Sequence, residues 1–208
     1  MQRFTPTEYA EWNFENSSKK HLTHYIRYFG DIIPPDMCDD LVMLFDDNED
    51  LQVERTQGGD HFRFMQLSIS QQSNQQPWKA IQEILTECAR NALSQYADLV
   101  QTDQTPIFPK ELGLEEFRIN KTLNNGRDGF GNHVDVGDYK SARRFITAVF
   151  YLNDIEDGGD AAFPELGISF KPTKGAALVF PSTWQFIHCG IKPISDPKYI
   201  LTTFVHYV

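Results

Sequence analysis

The run Arg144-Phe145-Ile146-Thr147-Ala148-Val149-Phe150-Tyr151-Leu152 decides the fold class. It is dominated by β-branched and aromatic side chains and is stopped by Asn153-Asp154, the pattern of a strand with a turn behind it. Working outward, similar short runs occupy residues 116–120, 168–170, 176–180 and 199–207, each bounded by Gly, Pro, Asn or Asp. Five short strands with turn signals between them predict a barrel, sandwich or jelly roll. The intervals are too short for crossover helices, which disfavours a parallel α/β sheet.

The N-terminal half has a different texture. Pro34-Pro35-Asp36 is a helix-start signal, and Met37, Leu41, Leu44 and Phe45 then recur at spacings of three and four, which predicts a helix of about a dozen residues. Pro77-Trp78 opens a longer amphipathic stretch through Ile81, Ile84, Leu85, Ala89, Ala92, Leu93, Tyr96 and Leu99. Between them, residues 51–75 alternate weakly at Phe62, Phe64, Gln66, Ser68 and Ser70, enough for a strand or two. The expected plan is one domain over 1–208, mainly β with α support: a mostly helical region 1–104 buttressing a β-core at 105–208.

Composition narrows the function classes. In 208 residues, 40% are hydrophobic and 13% aromatic, which excludes a disordered chain. Nineteen Lys and Arg against 29 Asp and Glu give a net charge of −10, and no basic run exceeds two residues, so neither nucleic acid nor an anionic membrane is an expected partner. Cys38, Cys88 and Cys189 are odd in number and widely spaced, which suits a reducing cytosol. With no signal-peptide core and no apolar run of membrane length, the expected location is cytoplasmic. The acidic cluster Asp46-Asp47-Asn48-Glu49-Asp50 reads as a solvated loop at a helix end.

Two of the six histidines stand in distinctive contexts. His133-Val134-Asp135 sets an imidazole and a carboxylate two residues apart, which on a strand puts both on one face. His188 follows in Phe186-Ile187-His188-Cys189-Gly190, at the edge of another β run. Two imidazoles and one carboxylate are the facial triad of non-haem Fe(II) enzymes, although HxD alone more often marks a surface pair or a hydrogen-bonded core histidine. Lys198 lies beyond the turn formed by Pro193, Ser195, Asp196 and Pro197, so it can return on a neighbouring strand toward the same cavity. A buried cation there is costly without a partner, and the far carboxylate of a metal-chelating 2-oxo dicarboxylate would be one. Tyr151 could add a hydroxyl to that carboxylate. Taken singly, Lys198 also reads as a turn lysine and Tyr151 as a core aromatic.

From Asn132 to Tyr207 the chain resembles the 2-oxoglutarate- and Fe(II)-dependent dioxygenases, in particular their prolyl 4-hydroxylase-like branch. The resemblance rests on His133-Val134-Asp135, Ala148-Val149-Phe150-Tyr151-Leu152-Asn153, Gly158-Gly159 with Phe163-Pro164, Pro172 through Phe180-Pro181, and His188-x-Gly190 with Lys198-Tyr199, in that order. The segment Ile33-Pro34-Pro35-Asp36-Met37-Cys38-Asp39 is similar to the one that opens the family's first support helix.

The resemblance implies a double-stranded β-helix, or jelly roll, with iron on His133, Asp135 and His188. Lys198 and Tyr151 are then expected to bind the distal carboxylate of 2-oxoglutarate, and Phe163 to pack near the cofactor. Asp135 is absent from related halogenating enzymes, so its presence favours hydroxylation. The implied reaction consumes 2-oxoglutarate and O2, releases succinate and CO2, and hydroxylates an unactivated C–H, with ascorbate as a further candidate cofactor. A prolyl residue of a peptide or protein is the preferred substrate, a free amino acid or other small molecule the next. An AlkB-like dealkylase, a cupin and a catalytically silent jelly-roll module are the alternatives. The chain departs from the family at 121–132, where the loop is longer and glycine-rich and lacks the usual aromatic. Gly126, Gly129 and Gly131 suit either a mobile lid or a long hairpin connection. Arg127, Arg143 and Arg144 read by default as solvated loop cations.

Overall fold

A computed structural model describes residues 2–16, 21–57, 62–100 and 108–208. In chain order the elements are β1 (Gln2–Phe4), α1 (Pro6–Asn16), β2 (Arg27–Phe29), α2 (Pro35–Asp46), β3 (Val53–Gln57), β4 (Phe62–Ser68), α3 (Trp78–Val100), β5 (Leu112–Leu114), β6 (Arg118–Thr122), β7 (Gly129–His133), β8 (Arg144–Tyr151), β9 (Ala161–Phe163), β10 (Ile168–Phe170), β11 (Ala177–Pro181), β12 (His188–Gly190) and β13 (Lys198–Tyr207). The strands form one curled sheet in the order β1-β10-β9-β12-β7-β4-β6-β13-β8-β11-β2, with β3 paired to β4 and β5 to β13. Among the described residues only the β1–β10 pairing is parallel. The curl turns on β4, whose Met65–Ser68 segment pairs with β6 while Phe62 and Arg63 pair with β7. This is the jelly roll that the strand texture and the resemblance imply.

Strand alternation separates a helix-facing core from a cavity. On β8, Ile146, Ala148 and Phe150 pack toward Leu41, Phe45, Leu85 and Tyr96 of α2 and α3, while Thr147, Val149 and Tyr151 line the cavity. On β13 the split is Tyr199, Leu201 and Val205 against Lys198, Ile200, Thr202 and Phe204. A second aromatic core, with Phe163, Phe170 and Phe180 against Phe4, Tyr9 and Tyr28, closes the far end of the sheet. Both expected helices form, and Pro35 occupies the first turn of α2, where its missing N–H costs nothing. On α3 the buried face runs through Trp78, Leu85, Ala89, Ala92, Tyr96 and Val100, which leaves Ile84 and Leu99 about half exposed.

Other expectations need correction. Residues 129–133 are strand β7, not loop, so the connection after β6 spans only 123–128. Arg144 is no solvated loop cation: it opens β8 and its guanidinium grips Glu115 through Nε–Oε1 (2.7 Å) and Nη2–Oε2 (2.8 Å). The acidic cluster is not wholly solvated either, because Asp46 binds Lys121 Nζ at 2.7 Å and accepts the Tyr199 hydroxyl at 2.8 Å. The 104/105 boundary lies outside the described residues.

Candidate metal centre and adjoining cavity

His133 ends β7 and His188 opens β12, and these two residues are direct antiparallel partners, so their rings lie side by side with centroids 4.2 Å apart. Asp135 follows β7 rather than lying on it, yet its carboxylate meets both rings: Oδ1 is 3.5 Å from His133 Nε2 and Oδ2 is 3.6 Å from His188 Nε2. One donor atom from each of the three lies within 4.8 Å of the others, a spacing that suits a single metal ion. Both imidazoles are oriented from behind. His133 Nδ1 donates to Gly131 O at 2.8 Å and His188 Nδ1 to Phe186 O at 3.0 Å, which leaves each Nε2 lone pair facing the shared space. The Asp135 carboxylate accepts the Thr147 hydroxyl at 2.6 Å, Thr147 is bonded to the Ser182 hydroxyl at 2.8 Å, and Arg144 Nη1 holds the Asp135 carbonyl at 3.2 Å.

The electrostatics agree with a cation site. Burial pushes the Asp135 carboxyl up, but His188, His133 and the Thr147 hydrogen bond outweigh it and hold the group below its ordinary range. Burial lowers His188 despite Asp135, keeping that imidazole neutral as a metal ligand requires. For His133, Asp135 overcomes the burial effect and raises the ring.

A cavity of about 380 Å³ extends from the triad. At one end Lys198 is buried, and its Nζ donates to Gly159 O at 2.7 Å. Burial pulls the ammonium down to about 8, opposed by Asp160 and Cys189. The Tyr151 hydroxyl lines the same cavity with no hydrogen-bond partner. Tyr151 faces Ile200 across the β8–β13 ladder, two residues from Lys198 and on the same sheet face. Thr122, directly opposite Lys198 on β6, is likewise buried with an unpartnered hydroxyl. Buried hydroxyls and ammonium protons without acceptors are rare and point to a ligand. A carboxylate, which only accepts, answers this set. The Gly158-Gly159 turn, both residues at φ +73°, brings the Gly159 carbonyl to Lys198; a Cβ on Gly158 would fall 2.3 Å from Lys192 O.

The structure therefore brings His133, Asp135 and His188 together, and Lys198 and Tyr151 line the cavity that opens on them. Phe163 packs on His188 at 5.7 Å between ring centroids. Several residues escaped that reading. Thr147 and Ser182 fix Asp135, and Thr147 was accessible to it, being four residues before Tyr151 on one strand face. An aromatic wall opposite consists of Phe64 stacked on Phe130 at 4.3 Å and Phe62 edge-on to His133 at 4.9 Å. A polar ladder crosses four strands, β3, β4, β6 and β13: Arg55 Nε donates to Gln66 (3.0 Å), Gln66 to Asn120 (2.9 Å) and Asn120 to the Thr202 hydroxyl (3.2 Å).

The profile of the 2OG-Fe(II) oxygenase superfamily matches residues 118–206, the stretch that supplies all five residues. Over that stretch, which is less than half of the chain, the sequence is similar to the 2OG-Fe(II) oxygenases, and together with the three-residue metal site this supports a dioxygenase enzyme. Its fold is shared with prolyl hydroxylases. The viral collagen prolyl hydroxylase of Paramecium Bursaria Chlorella virus-1, in its 2OG complex, superposes with a TM-score of 0.64 at 16% identity, over 88% of this chain and 97% of the other. A Trichoplax adhaerens prolyl hydroxylase, bound to a hypoxia inducible factor oxygen degradation domain peptide fragment, gives 0.68 at 14% identity over 94% and 92%. A Pseudomonas putida prolyl-4-hydroxylase gives 0.64 at 18% identity over 89% and 94%. No curated protein matches the chain by sequence. Among the described residues, no helix is long and apolar enough to cross a membrane.

Proposed function

We propose that this dioxygenase hydroxylates a prolyl residue of a peptide or protein, with iron held by His133, Asp135 and His188 and the far carboxylate of 2-oxoglutarate held by Lys198 and Tyr151. The observation that carries the cofactor assignment is the pair formed by the Lys198 ammonium, which has one acceptor, and the Tyr151 hydroxyl, which has none, in the cavity that also opens on the three candidate metal-ligand atoms. When bound, iron and 2-oxoglutarate supply the oxidising chemistry, with succinate and CO2 as by-products. The protein's part is to orient and exclude. The Gly131 and Phe186 carbonyls fix the imidazole tautomers, and Thr147 fixes the carboxylate. Phe62, Phe64 and Phe130 offer an apolar wall beside His133 for the substrate ring and keep water from it. The shared fold with three prolyl hydroxylases, one of them holding a peptide, supports the peptidyl assignment.

The test is anaerobic. Apoprotein loaded with Fe(II) and then 2-oxoglutarate should develop a weak visible charge-transfer band that vanishes in His133→Ala and needs far more 2-oxoglutarate in Lys198→Ala. Proline peptides are then screened in air, with and without ascorbate, for a mass gain of one oxygen matched by succinate. A band with succinate only from a free amino acid would move the substrate to small molecules. Iron binding with neither band nor succinate would leave a silent module.

A further inference from the structure

The polar ladder across β3, β4, β6 and β13 runs in one direction and ends on one open group. A guanidinium only donates, so the bond from Arg55 Nε to Gln66 Oε1 turns the Gln66 amide nitrogen toward Asn120 Oδ1, and the Asn120 amide nitrogen toward Thr202 Oγ1. The Thr202 hydroxyl closes the inner end on Arg118 O at 3.4 Å. Asn120 is buried, Gln66 and Thr202 are half-buried, and all three line the metal cavity. The ladder thereby fixes the plane of the Arg55 guanidinium. Its two terminal nitrogens, Nη1 and Nη2, bond to no described residue.

The charges of the cavity single out the same side chain. Apart from the two imidazoles, its charged lining consists of Arg55, Arg118, Lys198 and Asp135. Asp135 is committed to the imidazoles, and Arg118 Nε is held by Glu116 at 3.1 Å. Lys198 is buried at the cosubstrate end on β13, with β4 and β6 between it and β3. Glu54, the chain neighbour of Arg55, alternates to the other sheet face, where it pairs with Arg63 at 2.6 Å. Arg55 forms no ion pair with any described residue. It stands at the exposed rim of the cavity, directly opposite Phe64 in the β3–β4 register, and Phe64 stacks on Phe130 in the aromatic wall that reaches His133 through Phe62.

Resting on the hydroxylase reading above, we propose that Arg55 binds a carboxylate of the substrate and so determines which carbon of it faces the metal. The substrate ring lies against Phe62, Phe64 and Phe130, and its carboxylate accepts the Nη1 and Nη2 protons at the rim. A carboxylate answers both the charge and the paired donors of the guanidinium, whereas a peptide carbonyl answers the donors and leaves the charge. Holding the guanidinium through Nε before the substrate arrives lowers the entropy lost on binding. In a peptide the carboxylate is either the C-terminal one of the prolyl residue or that of an adjacent Asp or Glu.

The experiment uses two pairs of fluorescently labelled peptides of equal length: one ends in proline as the free acid or the amide, the other is amidated and carries an internal proline followed by Asp or Asn. Binding to the anaerobic Fe(II)–2-oxoglutarate holoprotein is measured first, then succinate yield in air. In at least one pair the acid should bind about ten-fold more tightly than its neutral counterpart, and the pair that shows this identifies the source of the carboxylate. Arg55→Gln should erase the difference by weakening the acid alone, with the Kd for 2-oxoglutarate unchanged, a readout that loss of folding does not imitate. Arg55→Glu should reverse the order, so that a proline followed by Lys outbinds one followed by Asp. Equal binding within both pairs, or a preference that survives in Arg55→Gln, overturns the proposal. Should the holoprotein turn over free amino acids and no peptide, the peptidyl reading fails, and proline compared with prolinamide in wild type and Arg55→Gln then decides the role of Arg55 separately.

Discussion

The two ends of the cavity are finished to different degrees. At the metal end each ligand side chain is already held by another group: His133 by Gly131, His188 by Phe186, and Asp135 by Thr147, which is backed in turn by Ser182. At the other end Lys198 donates to one carbonyl, Gly159 O, and the Tyr151 hydroxyl has no partner among the described residues. The metal end is a preorganised donor set; the Lys198 end is an incomplete one, which under the proposed function a carboxylate would complete. Preorganisation makes the first end sensitive to geometry, and incompleteness makes the second sensitive to charge and pH.

The largest effect should come from removing a ligand from the finished end. Asp135→Ala should abolish the anaerobic charge-transfer band and cut succinate formation roughly 1,000-fold or more, since it deletes the one anionic ligand. If activity survives within ten-fold, the triad is not the metal site and the contrast between the ends disappears.

Next comes charge at the unfinished end. Lys198→Ala should raise the Kd for 2-oxoglutarate about 100-fold, the usual cost of losing one member of a buried charge-assisted pair. The pH dependence follows from burial, which lowers the Lys198 ammonium to about 8. A carboxylate binds the protonated form, so affinity should be complete below about pH 8 and fall as pH rises through that value, by about ten-fold per unit. The unbound fold should show the opposite sign. An unfolded lysine titrates near 10.4, so between about pH 8 and that value the unfolded chain holds more protons and stability rises with pH. Calorimetric titration of 2-oxoglutarate from pH 7 to 9.5, with melting of the unliganded protein over the same range, reads both.

Thr147→Val probes whether the orienting layer of the finished end matters. It removes the 2.6 Å bond to Asp135 with little change of volume, and iron affinity should fall about 10- to 100-fold while the fold persists. An unchanged iron affinity would mean that the two imidazoles alone position the carboxylate.

The same contrast governs what the sequence disclosed. The candidate binding groups, His133, Asp135, His188, Lys198 and Tyr151, were legible because they belong to a recurring order of short motifs, and the β-branched and aromatic run 144–152 before Asn153-Asp154 gave away the strand that carries Tyr151. The layer that orients them was not legible. Arg144 finds Glu115 through the β-fold, 29 residues away in sequence, and Ser182 reaches Thr147 across 35, separations at which neither residue announces its partner. Strand β7 was misread as loop because Gly129 and Gly131 are poor strand formers, and what makes them a strand is pairing with β12 and β4 on either side. The aromatic wall escaped for the same reason: Phe64 and Phe130 lie 66 residues apart and meet only where β4 crosses from one side of the curl to the other.

The smallest expected effect separates function from stability most cleanly. Tyr151→Phe removes a fully buried hydroxyl that has no partner in the unliganded fold. A buried hydroxyl without an acceptor costs about 1–3 kcal/mol, so the unliganded variant should melt no lower than the wild type, and by that argument higher. The 2-oxoglutarate complex should move the other way, with Kd raised about five-fold, because the hydroxyl gains its acceptor only there. A structural tyrosine would lose stability in both states, and a tyrosine unrelated to the cosubstrate would leave Kd alone. Opposite signs in the two states are therefore the signature that this end of the cavity is left unfinished until its ligand binds.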